Sequence, residues 1–277
     1  MTLIELLVVL VILAVLAAMA LRATDSVVEQ ARVDASGRTL DALDAAVLGN
    51  ASDRDAGGRR LVSGFLADVG RPPHTVDELL EAGAIPPFAM QPVPGTPGAQ
   101  LGVGWRGPYV TAATTLQDGW ARPIDVELFD SVGDSFDQCV SMFRSVGADG
   151  LAGGNSYDAD IERELFRTGA GAFDRCRAGL QGAIDVNPEA FAREVTLRLY
   201  GPVDGAINVL REVTVSLPAD AEGTAYSLDP AAIGSRLLLA WIHLPGPPPA
   251  TGTPCDGWQR LTLTADTPIA TLDLDLR

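Results

Sequence analysis

The chain opens MTLIELLVVLVILAVLAAMAL, and between Leu3 and Leu21 its only charged residue is Glu5. A helix over residues 3–21 is about 28 Å long, close to the roughly 30 Å of a bilayer core. No basic stretch precedes the run and no small-residue cleavage site follows it, so it does not read as a secretory signal. A carboxylate inside such a run costs several kcal/mol unless it has a partner. Glu5 therefore either sits at a membrane boundary or is neutralised by a group supplied from elsewhere.

Helical spacing continues past the apolar run. In RATDSVVEQARVDASGRTLDALDAAVLGN, Val28, Ala31, Ala35, Ala42, Ala46 and Val47 share one face, and Asp25, Glu29, Arg32 and Asp41 fill the others. No proline occurs before Pro72. The pattern predicts one helix from about residue 2 to about residue 48, apolar all round in its first half and amphipathic in its second.

The words TLIELLVVLVILAVLAAMAL resemble the processed N-terminus of type IV pilins and type II secretion pseudopilins, usually written F-T-L-I-E. Met1 stands where Phe is usual. The resemblance implies a leader removed by a prepilin peptidase, N-methylation of Met1, passage through the inner membrane, and delivery to an assembly platform. It also implies a role for Glu5. The freed amine of one subunit enters an apolar bundle, and the Glu5 carboxylate of a neighbour lowers the desolvation cost of both charges. A head-to-tail contact of this kind does not close, so it builds a helical filament.

After the polar break ASDRDAGGRR, Leu61–Val69 reads as a short helix. Thr75 with Glu78 reads as a capping box for a second. FAMQPVPGTPGAQLG is a Pro/Gly loop, and WRGPYV, DGWARPIDVELF and QCVSMFRSVGADG give a loop and short strands. GPYV, DGWARPI and SVGADGLAGGNSYDADI follow in the order seen in the major pseudopilin of type II secretion, so the resemblance covers residues 1–161. It is looser over residues 50–100. Gly119 replaces the usual Pro and Ala121 the usual Gly, so the turn there is expected to differ in type.

ADGLAGGNSYDADI places Asp149, Asp158 and Asp160 around a glycine-rich loop, the hard-oxygen chemistry that Ca²⁺ prefers. The alternative is a solvated acidic turn. The resemblance implies calcium, with Asp149, Asp158 and Asp160 as side-chain ligands, backbone carbonyls at Val146 and Leu151, and Asn155 as an additional ligand.

Beyond Ile161 the resemblance ends. Residues 162–191 read as a partly helical connector. REVTLRLY, REVTVSL, SRLLLAWIHL, WQRLTLTA and TLDLDLR then alternate as strands separated by turns, predicting a small antiparallel sandwich. The expected fold class is thus α+β. A long N-terminal pilin helix occupies residues 1–50, with 1–24 as transmembrane segment and filament core. A pseudopilin-like domain follows over 51–161, then the connector, then an added β domain over 192–277.

Acidic residues outnumber basic ones 36 to 20, a net charge of −16, which argues against a nucleic-acid partner. All basic residues are Arg, so a P-loop or Schiff-base lysine is excluded. Cys139, Cys176 and Cys255 show no zinc spacing. Any two can pair. Cys139–Cys176 is preferred because it ties the flanks of one Gly-rich loop. His74 and His243 lie far apart, and no G-x-S-x-G, Walker or H-E-x-x-H word occurs. Asp273 and Asp275 read as a solvated strand face, and Trp105, Trp120, Trp241 and Trp258 as core packing rather than a sugar platform. The expected function is therefore not enzymatic. It is a homo-oligomeric filament subunit, in a periplasmic or extracellular fibre. The alternatives are a minor tip subunit or a membrane-anchored, calcium-dependent binding protein.

Overall fold

The computed structural model describes residues 3–50, 52, 53, 62–111, 116–167, 173–264 and 269–276, without the side chains of Leu3, Glu5, residues 17–23, Phe173 and Ile269. Met1 and the Glu5 carboxylate therefore lie outside the described atoms.

Helix α1 (Leu3–Leu48) is 46 residues long, about 69 Å at the standard rise. Its two halves have different surroundings. Leu40, Leu43 and Val47, spaced to share one face, are fully buried in the core. The large apolar side chains described from Ile4 to Leu16 are 49–71% exposed. A five-residue helix, α2 (Phe65–Val69), follows and is wholly buried. Residues Val76–Leu79 form a single 3-10 turn. The expected capping box is not made there. Thr75 makes no side-chain cap, and Glu78 instead accepts from the His74 N–H at 3.0 Å and from Arg71.

The rest is strands. A hairpin pairs β1 (Ala89–Pro92) with β2 (Gln100–Val103), in the segment expected to be a Pro/Gly loop. Strands β3 (Asp125–Leu128), β4 (Val140–Ser145) and β5 (Ile161–Glu164) form an antiparallel sheet. The short pair β6 (Phe166–Arg167) and β7 (Phe173–Asp174) follows. Next come β8 (Arg177–Asp185), β9 (Arg193–Val203), β10 (Ala206–Leu217), β11 (Gly223–Ala232), β12 (Gly234–His243), β13 (Gly257–Leu263), β14 (Ile269–Thr271) and β15 (Leu274–Asp275). One four-stranded sheet runs β10-β9-β12-β13, and a second runs β11-β8-β14 with β15 also on β8. β14 and β15 pair with β8 in parallel, so the sandwich is mixed rather than purely antiparallel. The described part of the expected partly helical connector holds strands β5 to β8 and no helix, with irregular chain after Asp185.

These strands correct the expected class. The described chain is mainly β, with fifteen strands against one long helix and short turns, and not the α+β pilin architecture. Among the described residues no helix is long and apolar enough to cross a membrane. The transmembrane reading of residues 1–24, and with it the inner-membrane precursor and a helical polymer drawn from a membrane-spanning helix, are corrected on these findings.

The physical reason for the β character is that the C-terminal strands share their core with everything before them. One cluster joins Leu43 of α1, Phe65 of α2, Phe143 of β4, Ile184 of β8, Leu197 of β9 and Leu274 of β15. β9 is buried on both faces. Val195, Leu197 and Leu199 enter that cluster, while Tyr200 packs with Leu237, Leu239 and Trp241 under Val93, Leu101 and Val103. The β1–β2 hairpin thus roofs the outer face of the C-terminal sheet.

Candidate functional site: the glycine-rich loop and its seat on the helix

The loop after β4 turns through a string of left-handed residues, Gly147, Gly150, Gly153, Gly154 and Ser156. At two of them glycine is required by space as well as by φ. A Cβ on Gly147 or on Gly154 would run into the backbone carbonyl of Asp158. Asp158 closes a 3-10 turn, Ser156–Asp158, its N–H donating to Asn155 O at 3.2 Å. Ala148 N–H donates to Tyr157 O at 2.7 Å and joins the two arms.

The expected ligands have different fates. Asp149 is exposed and accepts from the Leu151 N–H at 2.9 Å, a local turn bond. Asp158 contributes its backbone to the cradle of the two glycines. Asp160 turns one carboxylate oxygen, Oδ1, into the interior, where it is buried and has no hydrogen-bond partner. Among the described residues no group of three His, Cys, Asp or Glu is placed to hold a metal. The three carboxylates are therefore not brought together as a ready-made cage. What fits a cation is narrower: an orphaned, buried carboxylate oxygen beside a loop rich in backbone carbonyls.

Sequence reasoning missed the residues that seat this loop. Asp118 is buried and takes the Trp120 and Arg122 N–H groups on Oδ1, each at 2.9 Å, and the Ser145 hydroxyl on Oδ2 at 3.0 Å. Arg122 reaches from that turn to donate to Gly147 O. The same turn grips α1. Gly119 N–H donates to Ser36 Oγ at 2.8 Å, and Trp120 Nε1 donates to Glu29 Oε2 at 2.9 Å. Tyr157 OH donates to Ser26 O at 3.3 Å. Farther along, Arg163 pairs with Asp41 at 2.7 Å, and Arg175 binds Asp44 in a fork with both bonds at 2.7 Å. Ser26, Glu29, Ser36, Asp41 and Asp44 fix the helix to the body along its second half.

The altered turn word has a visible consequence. Ala121 takes φ 60, the left-handed conformation that favours glycine.

The remaining expected residues are structural. Cys139, Cys176 and Cys255 are all free thiols, so the Cys139–Cys176 bridge is not formed. Burial pushes the Cys139 thiol up to about 12 and raises Cys176 as well, so neither is a thiolate at neutral pH. His243 Nε2 contacts Thr196 Oγ1 at 2.8 Å on the face of β9. Trp241 is buried and donates to Thr253 O at 3.0 Å, whereas Trp258 is exposed, so the tryptophans form no common platform. Asp273 accepts the Ala183 N–H of β8 at 2.9 Å, so it ties the chain between β14 and β15 to that strand rather than being merely solvated.

Comparison with protein-family models, with curated proteins and with solved structures finds no match.

Proposed function

We propose that this chain is a structural subunit that polymerises through the first half of α1 into a pilus-like filament of copies of itself. The observation that carries the reading is the exposed apolar segment Leu6–Leu16, in which consecutive positions around the whole helix are apolar. A helix apolar on one face can lie on a body, but one apolar on every face must be enclosed. Copies of the same segment enclose one another on all sides. The second half of α1, anchored from Ser26 to Asp44, holds each folded body at a fixed place beside that bundle. The N-terminal resemblance supports the same reading and gives Glu5 its role as partner of a neighbour's amine.

Calcium belongs to the same proposal. Asp160, with the carbonyls of the 146–151 arm, would hold the ion, with Asp158 and Asp149 completing the set on closure of the loop. The ion would neutralise the acidic loop and stiffen its seat on α1.

The test is assembly of the full chain on removal of detergent. Fibres are expected from the wild type. Val9→Glu and Leu13→Glu put charge into the apolar segment and should abolish fibres while leaving the body's melting temperature unchanged. Glu5→Ala should greatly slow assembly. A wild-type chain that stays monomeric, or a Val9→Glu chain that still builds full-length fibres, overturns the reading.

A further inference from the structure

Away from the glycine-rich loop, two hollows of about 280 and 370 Å³ share Ser135 and Arg211 in their walls. Both sheets of the sandwich contribute to them through an irregularity. The β10–β9 register slips between Val209 and Arg211, and the β11–β8 register slips between Leu228 and Ala231. Bulges of this kind re-aim a side chain, and here they set Arg211 against the Pro230 strand. The third wall is the turn around Gly133 and Ser135.

Three of the chain's arginines line this cleft. Arg71 is paired with Glu78 at 2.8 Å and with Asp204 at 2.6 Å. Arg177 is paired with Asp134 and with Asp174. Among the described residues no carboxylate pairs with Arg211. Its Nη1 donates to Leu210 O at 2.7 Å and its Nη2 to Pro230 O at 2.6 Å, while Nε is buried with no partner. Each Nη keeps a second N–H, since guanidinium carries five donors. The cleft therefore offers one guanidinium outside any ion pair, with N–H groups to spare, beside carboxylate and amide oxygens of Asp134, Asp174, Asp204 and Asn208 that belong to other pairings or stand free.

We propose that this cleft binds a hydroxylated monocarboxylate of monosaccharide size, a hexuronic acid. A single unpaired guanidinium suits one carboxylate. The surrounding acidic side chains disfavour a dianion such as phosphate, but they are acceptors for sugar hydroxyls. The hollows lie at the small end of ligand sites. The inference does not depend on whether the chain polymerises.

The experiment measures binding of D-glucuronate to the full chain in detergent by calorimetry and thermal shift. D-glucose, inorganic phosphate and a polyuronate are run beside it. Saturable binding of glucuronate, with glucose and phosphate at least tenfold weaker, is expected. Arg211→Ala should lose tenfold or more, and Arg211→Lys should recover part of that. Should Arg211→Ala fold poorly, Ser135→Asp places a competing carboxylate beside Arg211 on an exposed residue and should abolish binding. Tighter binding of the polyuronate than of the monomer assigns the acid to a polysaccharide, and equal binding assigns it to the free sugar; either supports the site. Absence of saturable glucuronate binding, equal binding of glucose, tighter binding of phosphate, or unchanged binding in well-folded variants overturns the proposal.

Discussion

The backbone of Gly119 lies directly against the carbonyl of Arg32 on α1, so close that a Cβ at position 119 would overlap that oxygen. The contact is held by the Gly119 N–H bond to Ser36 Oγ, itself bonded to Arg32 O at 3.0 Å. It decides how near the body can come to its helix.

Two neighbouring substitutions should therefore act in opposite directions. Gly119→Ala forces the turn off α1 and is expected to destabilise by about 1–3 kcal/mol, the usual range for overpacking. Ala121→Gly removes a left-handed strain of about 1–2 kcal/mol. Part of that gain is offset by about 0.5–1 kcal/mol of glycine entropy, so a small net stabilisation is expected. Urea denaturation of each variant checks both signs. A destabilised Ala121→Gly would mean that its φ is not strained.

Acid should weaken the clamp between the two parts of the chain at Glu78. Burial opposes ionisation of Glu78. The hydrogen bond from Arg71, the His74 N–H and the nearby charges outweigh it, so the carboxyl is held below its ordinary value of 4.5. A carboxyl with a depressed folded pKa contributes stability that is complete above about 4.5 and is lost as pH falls through the lowered value. Glu78→Gln should cost about 2 kcal/mol at neutral pH and flatten that acid limb. An acid limb of the same steepness in the variant would place the titration elsewhere.

Calcium removal should separate the acidic residues of the loop. If Ca²⁺ is bound, a chelator lowers the melting temperature, and saturation at a hundredfold over Kd is worth about 2.7 kcal/mol. Asp160→Asn should remove most of the response to added calcium, because its buried Oδ1 has no hydrogen-bond partner among the described residues. Asp149→Asn should remove less, because that side chain already caps Leu151. Identical melting with and without chelator leaves only a solvated turn.

The C-terminal strands should not be removable. Gly70 abuts the carbonyl of Pro202, and Arg71 Nε reaches Asp204 across the same seam. The β1–β2 hairpin loses Tyr200, Leu237, Leu239 and Trp241 if the extension is cut. A chain ending after Phe191 is expected to show no cooperative melting and to aggregate. A sharp transition from it would establish two independent cores.

Local periodicity determined much of this protein. Alternation in REVTLRLY and REVTVSL marks β9 and β10, because the two-residue period of a strand is a property of consecutive side chains, and the short apolar run in SRLLLAWIHL marks β12 as a strand buried on both faces. The DG pair at Asp204–Gly205 marks the hairpin between β9 and β10, since both residues take positive φ. The glycines and aspartates of the 147–160 loop were legible for the same reason. The sequence could not show β8, where Gly182 sits in mid-strand because Leu272 comes too close for any side chain. Nor could it show the β1–β2 roof, the Asp118–Arg122 seat of the loop, or Arg211 bonded to the carbonyls of Leu210 and Pro230 between two bulges. Each depends on groups far apart in the chain meeting across a shared core. The expectation of a helix on a small sheet failed there as well, because the added strands did not form a separate unit but buried themselves against α1, α2 and the hairpin already present.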